Sequence, residues 1–401
     1  MKTRLLRALV SPCLAVLAAI AGADAQVPHQ AQHETRAPTV VQFILTSDVH
    51  FGISRREFRG DTAVRAAFVN TAMITQMNRL PALRLPGDSG VGAGERVGAI
   101  DFVAIDGDIA NRAEPGVQSA RTSWTEFMAS YGRLLHLRDA SGQPARLLVV
   151  VGNHDVSNAI GYTRPLSPAR DASSAAGIYN LMLHPQTPLT AETFDYARHR
   201  AHFSIDIRGV HMSFLNLWPD SVERTWLAED LSHVSNGTPV LLFAHDPPAG
   251  DAKHFINPNG AHDLNAVDRF ENLMSEVYAD GDTLPPAGTP KDAESVTAQR
   301  QLAPFVKAHA TIKAYFHGHS NFNEFYDWRG PDRDVRLPTF RVDSPMKGAV
   351  SASDETRLSF MLVTIDVAGG RLTARECLWN ATPRNPATAL RFGTSRTISL
   401  R

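Results

Sequence analysis

Five stretches of the chain are mainly apolar and then end abruptly in polar side chains. The clearest runs from Arg146 to Asp155, where Leu-Leu-Val-Val-Val is followed by Gly-Asn-His-Asp. Strands of parallel sheets are buried on both faces and have this pattern, and open α/β sheets bind ligands just beyond the carboxyl ends of such strands. We therefore expect a sharp turn at Gly152 that delivers residues 153–155 into a functional site.

The other four apolar strands are predicted to end in the same way. They start at Val41, Phe102, Val240 and Ile312, and they are followed by Asp48 and His50, by Asp108 and Asn111, by His245, and by His319 and Asn321. Carboxylate, imidazole and amide oxygen together suit a hard to borderline divalent ion such as Mn, Fe or Zn. The repeated pattern therefore predicts a metal site.

Helices and further strands are predicted between and after these stretches. Apolar residues recur at helical spacing over 64–77, 124–135 and 302–306, and a capped helix is predicted over 221–231 with Ser221 as its cap. The alternation of strand, helix and strand predicts a right-handed crossover between parallel strands. Residues 202–208 and 210–217 alternate like paired strands, and strands at 338–342, 358–367 and 371–379 are expected to complete a second sheet.

The domain organisation follows from composition shifts along the chain. A polar leader at 26–38 is followed by one domain at 39–401, with loop insertions near 81–98, 160–188 and 250–290 that are rich in Pro, Gly or small polar residues. His254 and His262 in the last insertion are expected to be solvated.

Composition and net charge set broad limits on the fold and on the partners of the chain. The 401 residues are 43% hydrophobic, which is enough for a substantial core. The net charge is −1, so no overall field favours nucleic acid or an anionic membrane as a partner. The sequence leaves the oligomeric state open.

Residues 1–25 are predicted to be a secretory signal. A basic start and a short apolar run precede Ala23-Asp24-Ala25, and that run is shorter than the roughly 20 residues that span a bilayer. We expect the mature chain to have no transmembrane segment and to be periplasmic or secreted. Cys13 would leave with the signal, so Cys377 alone would remain and could form no internal disulfide.

The five polar endings also form an ordered series. They read Asp-x-His, Gly-Asp-x-x-Asn, Gly-Asn-His-Asp, His before Pro-Pro, and Gly-His-x-Asn. From Val41 to about Asn323 this series resembles the five blocks of the calcineurin-like metallophosphoesterases, which include purple acid phosphatases and protein phosphatases. The resemblance implies an α/β fold, a four-layer α/β/β/α sandwich of two mixed sheets.

The resemblance also implies a reaction and a set of site residues. An exported enzyme would hydrolyse a phosphate ester by attack of a hydroxide that bridges two divalent or trivalent ions, Mn, Fe or Zn. His154 would steady the phosphoryl oxygens and could protonate the leaving alkoxide, with Asp155 or Asn111 positioned to orient its ring. The implied metal ligands are Asp48, His50, Asp108 as the bridge, Asn153, His245, His319 and Asn321.

Two positions depart from the family pattern. Asn321 stands where relatives usually have a second His, and an amide oxygen is a weaker ligand than imidazole. Asn111 stands where many relatives have Asp. His317 lies inside its strand and is expected either to support the metal ligands or to pack in the sheet. Phosphomonoester and phosphodiester substrates both remain open, as does a non-catalytic binding or scaffold protein with a weakened metal site.

Overall fold

The strands that end in the motif residues belong to two six-stranded sheets. The computed structural model describes residues 40–111, 118–156, 171–255, 273–275, 294–388 and 390–401. The predicted signal peptide at 1–25, the leader at 26–38, His262 and most of the predicted insertion at 250–290 lie outside the described residues. Residues Pro38–Arg401 form one compact unit.

The described residues contain fourteen strands and six α-helices. The strands are β1 (Val40–Thr46), β2 (Ser54–Phe58), β3 (Asp61–Arg65), β4 (Phe102–Asp106), β5 (Arg146–Val150), β6 (Phe203–Ile207), β7 (Val210–Phe214), β8 (Val240–Phe243), β9 (Ile312–His317), β10 (Glu324–Trp328), β11 (Leu337–Arg341), β12 (Ser359–Asp366), β13 (Arg371–Leu378) and β14 (Arg391–Ser399). The helices are α1 (Ala66–Arg79), α2 (Ala120–Leu134), α3 (Asn153–Val156), α4 (Ser173–Leu183), α5 (Ser221–Ser232) and α6 (Val296–Ala308).

Both sheets are mixed, and their parallel strands carry the five motifs. The first sheet has the order β14-β13-β12-β1-β4-β5, with β1, β4 and β5 parallel. The second has the order β10-β11-β9-β8-β7-β6, with β11, β9, β8 and β7 parallel. Because parallel strands end at the same edge of their sheet, the motif turns of each sheet are neighbours.

The two sheets pack face to face over an aromatic core. Phe43 and Phe102 of the first sheet stack with ring centroids 4.6 Å apart. Phe243 of the second sheet lies edge-on to Phe43 at 5.5 Å and stacks on Phe316 at 4.9 Å. Such edge-to-face and offset contacts are the geometries that aromatic quadrupoles favour. This apolar layer fixes the two sets of strand ends relative to each other.

Helices bury the outer faces of both sheets and complete the four-layer α/β/β/α sandwich that the sequence predicted. Val69, Met73 and Met77 of α1 are buried in the layer over the first sheet, so a helix is present within the predicted range 64–77. It presents a different face from the predicted stripe, since Phe68 is 67% exposed. In α2, Phe127 and Tyr131 are buried one turn apart, and the Tyr131 hydroxyl donates to Asn70 Oδ1 at 2.9 Å. Within the described residues no helix is both long and apolar enough to cross a membrane.

Three local predictions were wrong. The strands predicted at 358–367 and 371–379 belong to the first sheet, where β12 pairs antiparallel with β1. Residues 173–183, predicted as loop, form α4, whose small residues let the helix approach closely: a side chain at Gly177 would meet the Trp124 ring. The cap of α5 is Asp220 rather than Ser221, and its carboxylate accepts the Glu223 N–H at 3.0 Å.

Candidate metal centre

The motif side chains enter the site through backbone turns that ordinary residues rarely adopt. Asp48, His50 and Asp108 have φ values of 54°, 42° and 55°, and His319 and Asn321 have values of 66° and 61°. Left-handed backbone in residues other than glycine costs free energy and persists where the surrounding structure enforces it. Five such residues in three motif turns therefore indicate that these turns serve a site.

Two glycines allow the motif turns to touch. Gly107 has a φ of 89°, and a side chain there would clash with Gly152 and with His245 Nδ1. A side chain at Gly152 would clash with the backbone and carboxylate of Asp108. The sharp turn expected at Gly152 is thus better explained by close approach, since only a residue without Cβ fits against Asp108.

Three hydrogen-bond acceptors converge beside the Asp108 carboxylate. His245 Nδ1 lies 2.6 Å from the Asp106 carbonyl oxygen, so that nitrogen carries the proton and Nε2 presents its lone pair. His245 Nε2 lies 3.1 Å from Asn153 Oδ1, 3.2 Å from His319 Nδ1 and 3.4 Å from Asp108 Oδ1.

In the His319 ring, Nε2 carries the proton and Nδ1 presents its lone pair, the reverse of the His245 ring. Its Nε2 donates to Asp251 Oδ2 at 2.8 Å, which leaves the Nδ1 lone pair facing the His245 lone pair. An ion that binds nitrogen and oxygen at about 2.0–2.2 Å holds its ligand atoms about 3–3.6 Å apart, so these spacings fit a cation. The donor set therefore suits a divalent ion at this position.

A second set of donors lies on the other side of Asp108. His50 Nε2 is 3.5 Å from Asp48 Oδ1 and 3.7 Å from Asp108 Oδ2. Both His50 nitrogens and Asp48 Oδ1 are buried without a hydrogen-bond partner. Since an unsatisfied buried polar atom is costly, the pair of His50 Nε2 and Asp48 Oδ1 beside Asp108 is typical of a ligand site. Asp108 contributes one carboxylate oxygen to each set.

Electrostatics at the centre also favour a bound cation. Burial raises the pKa of Asp108, and the neighbouring Asp48 charge raises it further. Burial followed by the Lys347 charge lowers the pKa of His50 to about 3, so its ring is neutral and able to ligate. For Asp48, burial opposes ionisation, but contacts with His50 and His245 bring the net pKa below its usual range. A bound ion would hold both carboxylates in the charged form.

His154 lies at the edge of this cluster. Its backbone N–H donates to Asp108 Oδ1 at 2.9 Å, and its ring packs edge-on to His50 with centroids 5.1 Å apart. Its Nδ1 contacts the Asn111 carbonyl oxygen, while its Nε2 lies 4.0 Å from Asp108 Oδ2. At 14% exposure the side chain is more open than the buried Asp48, His50 and Asp108 side chains, so it can meet a substrate.

The Asp155 carboxylate links two motif turns by accepting their backbone N–H groups. It accepts N–H groups from Gly152 at 2.9 Å and Ala110 at 3.0 Å. It also accepts the Ile109 N–H at 3.1 Å and the Ser174 hydroxyl of α4 at 2.6 Å. Of the two residues proposed to orient His154, Asn111 makes the contact, through its backbone oxygen.

Replacing Asp155 with alanine should destabilise the fold. Three backbone donors and one hydroxyl would be left buried without their acceptor, and we expect the free energy of unfolding to fall by about 3 kcal/mol. Urea denaturation of metal-free protein measures this. The matched control is Asp139→Ala, because the partly exposed Asp139 also accepts two N–H groups and a hydroxyl, from Ser141 and Gln143. Equal losses in both variants would contradict the structural role of Asp155.

Both residues that depart from the family pattern have a buried side-chain oxygen without a hydrogen-bond partner. Asn321 Nδ2 donates to the His319 carbonyl oxygen at 2.6 Å, and its Oδ1 is buried without a partner. Asn111 Oδ1 is likewise buried without a partner. His317 Nε2 contacts the Tyr326 hydroxyl at 3.0 Å, so it packs within the second sheet, which was one of its two expected roles.

Several site residues were missed or misjudged from the sequence. His254 was expected to be solvated, but it is fully buried and its Nδ1 lies 2.5 Å from Asp246 Oδ2. Asp246 Oδ1 is buried without a hydrogen-bond partner, 3.7 Å from His319 Nδ1. Asp246 directly follows His245, so adjacency to a motif residue could have identified it, whereas Asp251 and His254 lie in a segment without periodicity.

Comparisons with known proteins agree with these features. A model of the calcineurin-like phosphoesterase family matches residues 41–322. No curated protein matches the chain.

Three similar solved structures are Vps29 proteins. A Vps29 single mutant from Entamoeba histolytica has 10% sequence identity and a TM-score of 0.30. The match covers 90% of this chain and 99% of the Vps29 chain. Wild-type Vps29 from the same organism, complexed with Zn²⁺, has 11% identity and a TM-score of 0.31, with 90% and 100% covered. Vps29 from Chaetomium thermophilum has 9% identity and a TM-score of 0.30, with 90% and 95% covered.

Proposed function

Because this chain belongs to the calcineurin-like phosphoesterase family, we propose that it is an exported, metal-dependent hydrolase of phosphate esters. The observation that carries the proposal is the convergence of His245 Nε2, His319 Nδ1 and Asn153 Oδ1 beside Asp108. Three acceptor atoms facing one another repel unless a cation lies between them, so this arrangement is expected of a metal site and not of an apolar core.

Two ions would be held, one on each side of Asp108. The first would be bound by Asp48, His50, Asp108 and Asn321, and the second by Asp108, Asn153, His245 and His319, with Asp246 Oδ1 within reach of the second. Mn, Fe or Zn suits both donor sets. When bound, two such ions supply a nucleophile from water at neutral pH and neutralise the charge of the phosphoryl oxygens.

His154 would act on the substrate rather than on the ions. Its Nδ1 contact with the Asn111 carbonyl oxygen keeps the proton on Nδ1 and turns Nε2 toward the space in front of Asp108. In that position the ring, after Nε2 takes up a proton from solvent, could stabilise a phosphoryl oxygen and then donate that proton to the leaving alkoxide. Asp155 would support this role indirectly, by holding the turns that carry Asp108 and His154.

Hydrolysis of two model esters tests the proposed function. Protein lacking residues 1–25 would be stripped of metal, titrated with Mn, Fe or Zn, and assayed with para-nitrophenyl phosphate and with its bis-ester. We expect metal-restored hydrolysis of at least one ester. Absence of hydrolysis of both esters with every metal would contradict the proposal and favour a non-catalytic binding protein.

Asn321→His should tighten the first metal site. An imidazole nitrogen is a stronger ligand than an amide oxygen, so we expect the affinity for the more weakly bound ion to rise by about tenfold or more. Competition with a metal chelator measures the two affinities. Asn385→His, in an exposed turn, is the control for a non-specific effect of an added histidine. Unchanged affinity in Asn321→His would place Asn321 outside the metal site.

A further inference from the structure

The loop that follows β11, over residues 342–351, is hydrogen-bonded to the first and to the last motif turn of the metal centre. The Ser344 hydroxyl donates to the Asp48 carbonyl oxygen at 2.7 Å and accepts the Lys347 N–H at 2.9 Å. The Ala349 N–H donates to the Asn321 carbonyl oxygen at 2.6 Å. The loop is therefore bound to the first and the last motif turns, on either side of Lys347.

A buried arginine holds the same loop from the other side. Arg55 of β2 is 3% exposed, and its guanidinium donates to the Pro345 carbonyl oxygen at 3.0 Å and to the Ser351 carbonyl oxygen. Two backbone oxygens bound by one planar guanidinium fix the path of the chain between them. The backbone of Lys347 is thus held in place by interactions that do not involve its own side chain.

The Lys347 side chain reaches His154. Its Nζ lies 3.3 Å from His154 Nε2, and the His154 Nδ1 contact with the Asn111 carbonyl oxygen leaves Nε2 as an acceptor. A lysine ammonium has only donors, so the hydrogen bond runs from Lys347 to His154. An ammonium group therefore lies beside the imidazole that faces the proposed position of the phosphoryl group.

We propose that Lys347 binds the substrate phosphate and gives the site a preference for phosphomonoesters over phosphodiesters. This inference rests on the proposed function, because it assigns a substrate class to the same site. Lys347 lies in the segment after β11, beyond residue 322, where the match to the family model ends. When substrate binds, the ammonium group would exchange its contact with His154 Nε2 for a phosphoryl oxygen.

The charge of the substrate explains the preference. A phosphate monoester has a second ionisation with a pKa near 6 and is mostly a dianion at neutral pH, whereas a diester is a monoanion. Lysine binds phosphate as a compact point charge, and its attraction grows with the charge of the ligand. An added ammonium group beside the site should therefore favour the monoester more than the diester.

Substitution of Lys347 tests the inference. We expect Lys347→Met to lower kcat/KM for para-nitrophenyl phosphate by about 10- to 100-fold and for the bis-ester by less than about threefold. Competitive inhibition by inorganic phosphate should weaken by about tenfold or more, with two ions still bound. Lys347→Arg, which retains the positive charge, should recover most of the monoester activity. Lys307→Met is the matched control, since Lys307 forms an exposed ion pair with Asp334.

The outcomes separate the inference from the proposed function. A wild-type protein without metal-dependent hydrolysis would overturn both. An active wild type whose Lys347→Met variant keeps its monoester-to-diester ratio and its phosphate affinity would overturn the role of Lys347 alone. Equal loss on both esters together with lost metal would also overturn it, because Lys347 would then have only a structural role.

Discussion

Asp108→Ala is expected to abolish metal-dependent hydrolysis. Asp108 Oδ1 lies 3.4 Å from His245 Nε2 and Oδ2 lies 3.7 Å from His50 Nε2, so one side chain serves both donor sets. Loss of a residue that only orients a metal ligand costs about 10- to 100-fold in affinity or activity, and removal of a shared ligand should cost at least about a thousandfold. Turnover at saturating metal measures the effect directly.

The expected loss must be distinguished from misfolding. Asp108 also accepts the His154 N–H, so thermal unfolding of the metal-free variant should accompany the assay. Asp332→Ala is a suitable control, because Asp332 forms an exposed pair with Arg300. A folded Asp108→Ala protein that retains near wild-type turnover at saturating metal would contradict the two-ion assignment.

His154→Gln is expected to lower kcat while leaving metal binding intact. General acid–base catalysis typically contributes about 100- to 10,000-fold, and we expect a decrease in this range. Glutamine can still accept a hydrogen bond from Lys347, but it cannot donate a proton to the leaving group. Steady-state kinetics and metal content, both measured on the same preparation, separate chemistry from binding.

The control for His154→Gln is His233→Gln, since the His233 side chain is 74% exposed at the end of α5. His154→Gln protein that loses bound metal would show that His154 ligates an ion. Unchanged kcat would remove His154 from the reaction. An aryl phosphate should be less affected than an alkyl phosphate, because protonation of the leaving oxygen matters less for the better leaving group.

The sequence was sufficient to group the candidate ligands because of the geometry of parallel sheets. Asp48, Asp108 and Asn153 follow three parallel strands of the first sheet, and His245 and His319 follow two parallel strands of the second. Strand ends of one sheet necessarily meet at one edge, so local motifs were sufficient to group the residues. The apolar faces then bring the two edges together.

The outer parts of the site could not be predicted by the same reasoning. Asp251 and His254 lie in a segment without hydrophobic periodicity, and they reach the centre through contacts with His319 and Asp246. Lys347 follows a strand that ends without a motif, and the position of its loop depends on contacts with Asp48 and Arg55, which are far away in the chain. Such contacts are tertiary, and nothing in the local sequence indicates them.

The sheet to which each strand belongs also could not be predicted from local sequence. Alternation and apolarity identified the strands at 358–367 and 371–379, but they did not identify their partners. The antiparallel pairing of β12 with β1, which joins Val40 to Asp366 and Leu45 to Met361, links segments more than 300 residues apart. Either sheet could have accommodated strands with these patterns, since both present one face to the shared core.

The number of ions bound per chain is the most direct test of the two-ion centre. Metal-stripped protein lacking residues 1–25 would be dialysed against Mn, Fe or Zn, and bound metal and protein would be measured together with hydrolysis. We expect two ions per chain in the wild type, with hydrolysis rising as the second site fills, and fewer than two in Asp108→Ala. One ion or none in a folded wild-type protein with every metal would contradict the account.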